Sequence, residues 1–411
     1  MKTLLQINTN VGWNSTGRIS EEIGKYAIER GWLSTIAYGR KMDGKPASAS
    51  RLIRVGKDTD IILHGIGTRL FDRHGLFSKR ATKDLIKRIE EIRPDIIQLH
   101  NIHGYYLNYQ ELFAYFARTG IPVVWTLHDC WPFTGHCAYF DIADCRKWIN
   151  GCNHCQLKRM YPASFLCDNS EINYELKKQA FTSLENLHIV TVSKWLNEVV
   201  KNSFLDRFPS YVIYNGIDIS SYSQSKIKKE PIVLGVASKW DARKGLDTFV
   251  DLRKKLPKKY RIVLIGLSPG QIRNLPKGIE GIPRINEQNV LNTWYHRALV
   301  FVNPSLCENL PTTNMEAQAC GTPVVAFDCG GMRETITDKT GILVKENHID
   351  GLVEAIMEID SNKSIYCGED CIEHIENKFN KKKNFISYID LYDSILAARD
   401  VKIPNIGYQP H

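Results

Sequence analysis

Short apolar runs alternate with amphipathic segments along almost the whole chain. The run TLLQIN (3–8) predicts a buried strand. A glycine-bearing loop follows, then a helix with Ile19, Ile23, Tyr26 and Ala27 at helical spacing. Leu85, Ile86, Ile89 and Ile92 mark another helix face, stopped by Pro94, and DIIQL (95–99) begins the next strand. PVVWTL (122–127) and LHIVTV (187–192) continue the series. The pattern restarts with PIVLGVA (231–237), a helix over 245–256, then RIVLIG (261–266), ALVFVN (298–303) and TPVVAF (322–327). Such alternation predicts parallel sheets covered by helices on both faces. The fold class read from it is α/β, with two doubly wound units in tandem. The polar stretch Ser220–Lys229 (SSYSQSKIKK) reads as the linker.

A length of 411 residues suits two or three domains, each with its own core. The apolar fraction of 43% and charged fraction of 24% are those of an ordinary globular chain. An excess of 54 basic over 45 acidic residues gives +9, which favours anionic partners: phosphates, a lipid-phosphate carrier or an acidic membrane surface. Nucleic-acid binders concentrate charge more sharply, and none is expected as a partner here. The opening MKTLLQINTN is broken by Gln6 and Asn8, so it does not read as a signal peptide. No run reaches the ~18 apolar residues of a membrane span. The expected setting is cytoplasmic, at most peripheral on the inner face of a membrane. Disulfides are then an unexpected use for the 11 cysteines.

In open α/β sheets ligands gather beyond the carboxyl ends of strands. Three segments of the second unit fall there. Ser238–Gly245 (SKWDARKG) sets Lys239, Arg243 and Lys244 beside a helix start, either a phosphate cradle or a solvated basic turn. In Asn303–Pro323 a strand ends at Asn303, Pro311 and its threonines predict a helix start near 313, and Gly321 stops the helix. Glu308 then lies in the loop and Glu316 in the first helical turn. A carboxylate there can accept both hydrogens of a ribose diol. The alternatives are a solvated loop acid at Glu308 and a capping box, Thr313-x-x-Glu316. After the next strand, the paired Gly330-Gly331 would let backbone approach a ligand.

Together these segments resemble the retaining glycosyltransferases of family 4, of the polysaccharide-biosynthesis type. The resemblance rests on Glu308-x7-Glu316 followed by Ala-Gln-Ala-Cys-Gly-Thr-Pro-Val-Val-Ala (317–326), with Lys239 and Lys244 at the spacing of that family's phosphate-binding pair. Tyr214-Asn215-Gly216-Ile217-Asp218, Val192-Ser193, Pro94–His100 and Thr126-Leu127-His128-Asp129 match its other landmarks in order, over roughly residues 1–395. The chain departs from it in three places. Glu308-Asn309-Leu310-Pro311 stands where Glu-Gly-Phe-Gly is common. Lys239 stands where Arg is usual. Gly12 and Gly17 stand apart where many members pair two glycines.

The resemblance implies the GT-B fold: two Rossmann-like doubly wound domains facing an interdomain cleft. The boundaries expected are 1–213 for an acceptor domain with a Cys-rich insert near 130–167, and 214–385 for the nucleotide-sugar donor domain. Residues 386–411 would form a C-terminal helix and tail packing back on the first domain. The activity implied is transfer of a sugar from a UDP- or GDP-sugar to a saccharide or polyprenyl-diphosphate-linked acceptor, with retention. Negative charge grows on the departing diphosphate, so fixed cations and dipoles should face it. That role falls to Lys239, Lys244 and the helix end near 313, in place of a divalent cation; no cofactor is expected for catalysis. Glu308 would contact the transferred sugar and His128 would meet it across the cleft. Donor contacts are implied at Glu316, Arg243, Asn309, Leu310, Pro311, Thr312 and Gly17. For His128 the alternative is a strand-end imidazole satisfied by Asp129. Alternative functions are a sugar-nucleotide epimerase on the same fold and a non-catalytic nucleotide-sugar-binding subunit.

Two features stand outside that site. Six cysteines crowd 130–167, and Cys152-x2-Cys155 has the spacing of a zinc knuckle. A structural zinc on Cys137, Cys145, Cys152 and Cys155 is expected, with free thiols and disulfides as alternatives. Thr68–Arg80 mixes cations with Leu and Phe, suiting contact with anionic lipid or a polyprenyl-diphosphate acceptor, or else a solvated face.

Overall fold

The computed structural model describes residues 1–40, 48–222 and 227–402, the last three as backbone alone. The chain divides into two compact units. The first holds Met1–Val192, Asn197–Ile213 and the chain from Asn384 on; the second holds Ser193–Leu196 and Tyr214–Lys383.

The strands of the first unit are β1 (Thr3–Asn8), β2 (Leu33–Tyr38), β3 (Arg51–Arg54), β4 (Ile96–Leu99), β5 (Val123–Leu127), β6 (Leu187–Thr191) and β7 (Ser210–Val212). Its helices are α1 (Asn14–Glu29), α2 (Asp58–Phe71), α3 (Lys79–Ile92), α4 (Tyr109–Thr119) and α5 (Ser170–Phe181), with α6 (Lys194–Val200) at the exchange between units. The sheet order is β3-β2-β1-β4-β5-β6-β7 and every pairing is parallel. Helices on both faces explain the apolar runs: all five residues of β5 are buried. α3 stops at Arg93, in the left-handed region at φ 51°, because Pro94 cannot continue it. Between β5 and α5 the insert is irregular, with 3₁₀ turns at Trp131–Phe133, Asp141–Ala143 and Lys147–Ile149.

The second unit runs β8 (Glu230–Val236), α7 (Leu246–Lys255), β9 (Arg261–Ile265), α8 (Pro269–Arg273), β10 (Ile279–Ile282), α9 (Gln288–Arg297), β11 (Ala298–Asn303), α10 (Thr312–Ala319), β12 (Val324–Phe327), β13 (Gly341–Val344), α11 (Ile349–Ser361) and α12 (Gly368–Lys378). Its sheet, β10-β9-β8-β11-β12-β13, is also all parallel. Val233, Phe249, Leu264, Val302, Val325 and Ile356 lie at the centre of its core. The polar stretch Ser220–Lys229 is not the linker expected from its composition. The chain changes unit at Ile213/Tyr214, so the stretch lies inside the second unit. Ile219–Tyr222 forms a 3₁₀ turn with Tyr222 buried, and residues 223–226 fall outside the described residues.

The last helix, α13 (Lys381–Lys402), belongs to the first unit from Asn384 on. Phe385, Tyr388, Ile389 and Tyr392 pack with Leu4, Ile96, Val124 and Val190. The Tyr392 hydroxyl donates to Gln98 Oε1 at 2.8 Å.

Candidate functional site

Each sheet reverses its strand order once, beside β1 and β4 in the first unit and beside β8 and β11 in the second. Loops leaving adjacent strands there diverge to opposite faces and open a crevice. In the second unit these are the loops after β8 and β11. Trp240 anchors the first: its indole is buried and donates to Ile265 O at 2.9 Å. Gly245, at φ 74°, lies so near the other loop that a Cβ would come 2.5 Å from Pro304 O. Leu306 N–H donates to Arg243 O at 2.9 Å, and Arg243 Nη1 donates to Cys307 O at 3.1 Å.

The two loops converge on Glu308. Lys244 Nζ forms a short ion pair with Glu308 Oε1, and Arg243 Nη1 lies 3.5 Å from the same oxygen. The Glu308 side chain is only 12% exposed. Burial pushes its carboxyl pKa up, but Lys244 and then Arg243 outweigh burial, and the net shift is downward. Glu308 is thus a fixed anion flanked by two cations. Lys239 sits exposed at the start of its loop.

Glu316 lies on α10 and accepts from the Tyr295 hydroxyl at 3.0 Å. The N-cap of α10 is Pro311 and the helix starts at Thr312, so no capping box forms and Glu316 belongs to the second turn rather than the first. A buried amide network holds the base of the loop. Asn303 Nδ2 donates to Asn314 Oδ1 at 2.8 Å, and Asn314 Nδ2 to Thr335 Oγ1 at 2.9 Å. Asn309, Leu310 and Pro311 are buried, and Thr312 is half-buried at the helix end. The glycine pair lets other backbone come close. A Cβ on Gly331 would lie 1.8 Å from Asn309 O, and one on Gly330 would lie 2.1 Å from Glu308 O. The glycines admit the backbone of Glu308 and Asn309 itself.

In the first unit His128 follows β5 directly. Its ring stacks on His100, with Nε2 3.2 Å from His100 Nδ1. Gln6 fixes the tautomers. Its Nε2 donates to Ser20 O at 2.8 Å, so its Oε1, 3.1 Å from His100 Nε2, accepts from that ring. His100 Nδ1 is then the acceptor and His128 Nε2 carries the proton. Burial pushes His128 down to about 4 and His100 well below the usual imidazole value, so both rings are neutral at pH 7. Asp129, offered by the sequence as the partner of His128, has its Oδ2 2.9 Å from Nε2 of a third histidine, His103. His103 Nδ1 in turn meets the Tyr161 hydroxyl at 2.9 Å. Sequence reading missed the Tyr161–His103–Asp129 array; the spacing His100-x2-His103 was its only visible trace. Gly17, in α1, packs on its own loop: its carbonyl accepts from Gly12 N–H at 3.0 Å, and a Cβ would meet Asn10 C at 3.3 Å.

None of the 11 cysteines is in a disulfide. The neighbouring Cys137 thiol, chiefly, brings Cys155 down to about 7, against the opposing effect of burial. Among the described residues no three His, Cys, Asp or Glu side chains converge to hold a metal ion, so Cys137, Cys145, Cys152 and Cys155 do not stand as a formed ligand set. Buried Lys177 secures the start of the insert, donating to Trp131 O at 2.7 Å and Thr134 O at 2.9 Å.

Two all-parallel, doubly wound sheets, with acid and cations gathered at the switch point of the second, describe the GT-B class of glycosyltransferase. Solved structures share the fold. Sucrose-phosphate synthase of Thermosynechococcus elongatus superposes with a TM-score of 0.70 at 17% identity, covering 97% of this chain and 100% of that one. The HepE protein of Anabaena, solved in complex with UDP-glucose, gives 0.64 at 15% identity, covering 96% and 100%. The family profile described as Glycosyltransferase Family 4 matches residues 17–221, and Glycosyl transferases group 1 matches residues 230–362. A putative colanic acid biosynthesis glycosyl transferase of Escherichia coli (strain K12) is 25% identical over 378 residues, 85% of this chain and 89% of that protein. The chain belongs to glycosyltransferase family 4 and is a transferase.

Proposed function

We propose that the enzyme transfers a sugar, with retention, from a UDP- or GDP-linked donor to a saccharide or polyprenyl-diphosphate-linked acceptor, in building a surface polysaccharide at the cytoplasmic side of a membrane. The convergence of Lys244 and Arg243 on Glu308 at the β8/β11 switch point carries this reading. Without a ligand, Glu308 balances these cations, and a bound diphosphate would share or take over that role. The bond broken joins the anomeric carbon to the diphosphate. Lys244, Lys239 and the N-terminus of α10 would take up the growing negative charge, and Arg243 would add a planar fork that Lys239 lacks. Glu316, oriented by Tyr295, suits the ribose diol; Glu308 and His128 suit the sugar hydroxyls. The UDP-glucose of the HepE structure and the colanic acid role in the Escherichia coli protein's name support the donor class and the product class.

A thermal-shift screen of nucleotide sugars, followed by product analysis with the best binder, tests the proposal. A true donor raises Tm by mass action, and transfer should retain the anomeric configuration. Lys244→Ala should lower kcat/KM by about 2.7–4 kcal/mol, roughly a hundred- to thousandfold. Near-wild-type transfer by that variant would remove Lys244 from the diphosphate site.

The insert carries a smaller proposal, a structural zinc on Cys137, Cys145, Cys152 and Cys155. The zinc-knuckle spacing of Cys152-x2-Cys155, with Cys137 and Cys145 in the same insert, supports it. Metal analysis of the purified protein should find about one zinc per chain. A content near zero rejects it.

A further inference from the structure

Helix α2 is built inside out. Its buried residues are His64, Gly65, Gly67 and Thr68, whereas Ile62, Leu63, Ile66, Leu70 and Phe71 are exposed by 37% to 67%. Ile62, Ile66 and Leu70 recur every four residues with Leu63 beside them, which is one stripe of a helix. The orientation is locked. His64 joins Ser78 Oγ at 2.8 Å and accepts from Gly75 N–H at 3.0 Å, and Phe77 packs where a Cβ on Gly67 would come 2.6 Å from its ring. Rotating the stripe inward would break all three contacts. The loop beside α2 extends the surface. Phe165 N–H donates to Arg69 O at 2.8 Å, and Phe165 and Leu166 are 55% and 69% exposed. The apolar surface therefore lies mostly ahead of the Thr68–Arg80 segment singled out in the sequence, sharing only Leu70 and Phe71 with it.

Exposed Arg69 in the last turn of α2, Arg73 just after the helix, and Arg159 a few residues before Phe165 and Leu166 supply cations close to these residues in the chain. Three acids near these residues in the chain are engaged. Asp58 pairs with Arg54, Asp60 accepts from Lys57 N–H at 2.7 Å, and Asp168 accepts from Cys155 N–H at 2.6 Å. A continuous apolar stripe rimmed by cations matches the boundary of an anionic bilayer, with acyl chains for the stripe and headgroups for the arginines. Among the described residues no helix is long and apolar enough to cross a membrane.

We propose that the α2 stripe, with Phe165 and Leu166, seats the first unit on an anionic lipid surface. This deepens the reading that the acceptor is lipid-linked, but its test uses neither donor nor acceptor. The full chain is floated with phosphatidylcholine vesicles, alone or with roughly one-third phosphatidylglycerol. Wild type should float with the mixed vesicles. A combined Ile62→Gln, Ile66→Gln, Leu70→Gln variant should lose at least about tenfold in partitioning, as should Arg73→Glu with Arg159→Glu. Both variants should keep the wild-type Tm, since the altered side chains are exposed. Absence of wild-type binding overturns the proposal, and so does unchanged binding by the apolar variant. A dimer that the apolar variant splits, with no vesicle binding by either protein, would give the surface to a second copy and also overturn it. A donor that raises Tm in a chain that does not float would leave the transfer reading standing while this one fails.

Discussion

Glu308 accepts two cations on one carboxylate oxygen, so the unliganded loop holds its own counter-charge. Glu308→Gln should separate its two tasks. With the anion gone, Lys244 and Arg243 face the diphosphate without a competitor, so calorimetric affinity for the free nucleoside diphosphate should hold or rise. Transfer should meanwhile fall about a hundredfold through lost contact with the sugar. Tyr295 acts on a different carboxylate. Tyr295→Phe keeps the ring and removes the hydroxyl that orients Glu316. A hydrogen bond to a charged group is worth about 1.5–3 kcal/mol, so the donor KM should rise roughly tenfold or more with kcat little changed. A fall in kcat with KM unchanged would put Glu316 at the reacting centre instead.

The loop after β11 depends on glycines one strand away. Gly331→Ala sets a Cβ against Asn309 O, where backbone must move rather than a flexible side chain. The expected cost is about 1–3 kcal/mol in urea unfolding, with weaker nucleotide binding because Glu308 moves with the loop. This use of the glycine pair was not legible in the sequence, which shows that close approach is needed but not what approaches. The central strands were legible because burial on both faces leaves mostly apolar choices, as in β5 and β11. Edge strands such as β3 (RLIR) and β10 (IEGI) mix polar residues and stay hidden. The pairing of Lys244 with Glu308 could be anticipated from strand-end placement. Tyr295 could not, since its contact with Glu316 spans 21 residues and exists only once α9 and α10 pack. The exposed apolar face of α2 was not legible in the sequence: periodicity alone assigns an apolar side inward, and here it points out. Removal of the chain from Asn384 onward tests α13 as an element. It would strip Phe385, Tyr388, Ile389 and Tyr392 from the first unit, and the truncated protein should lose cooperative melting of that unit.

Across the molecule, several imidazoles are buried in neutral form. Burial lowers His64 to about 3 and His128 and His374 to about 4, and lowers His74 and His100 well below the usual value. The unfolded chain protonates all of these near 6.5. Between pH 6.5 and about 4 the unfolded state therefore binds more protons, and stability rises with pH through that window. Each such group removes up to about 1.4 kcal/mol per pH unit on acidification. Tm should be flat from pH 8 to 7 and fall steeply below 6. A Tm that holds to pH 5 would mean that these rings protonate in the folded protein.

Because α13 completes the first unit after the chain has passed through the second, one unit is threaded into the sequence of the other. During synthesis the ribosome must make residues 214–383 before the closing helix exists. At about 5–20 residues per second, the first unit waits roughly ten to thirty seconds with the face of Leu4, Ile96 and Val124 uncovered. Nascent chains arrested before Asn384 should be cut by protease in the first unit and spared in the second. The half of the gene read first thus encodes the half of the enzyme finished last.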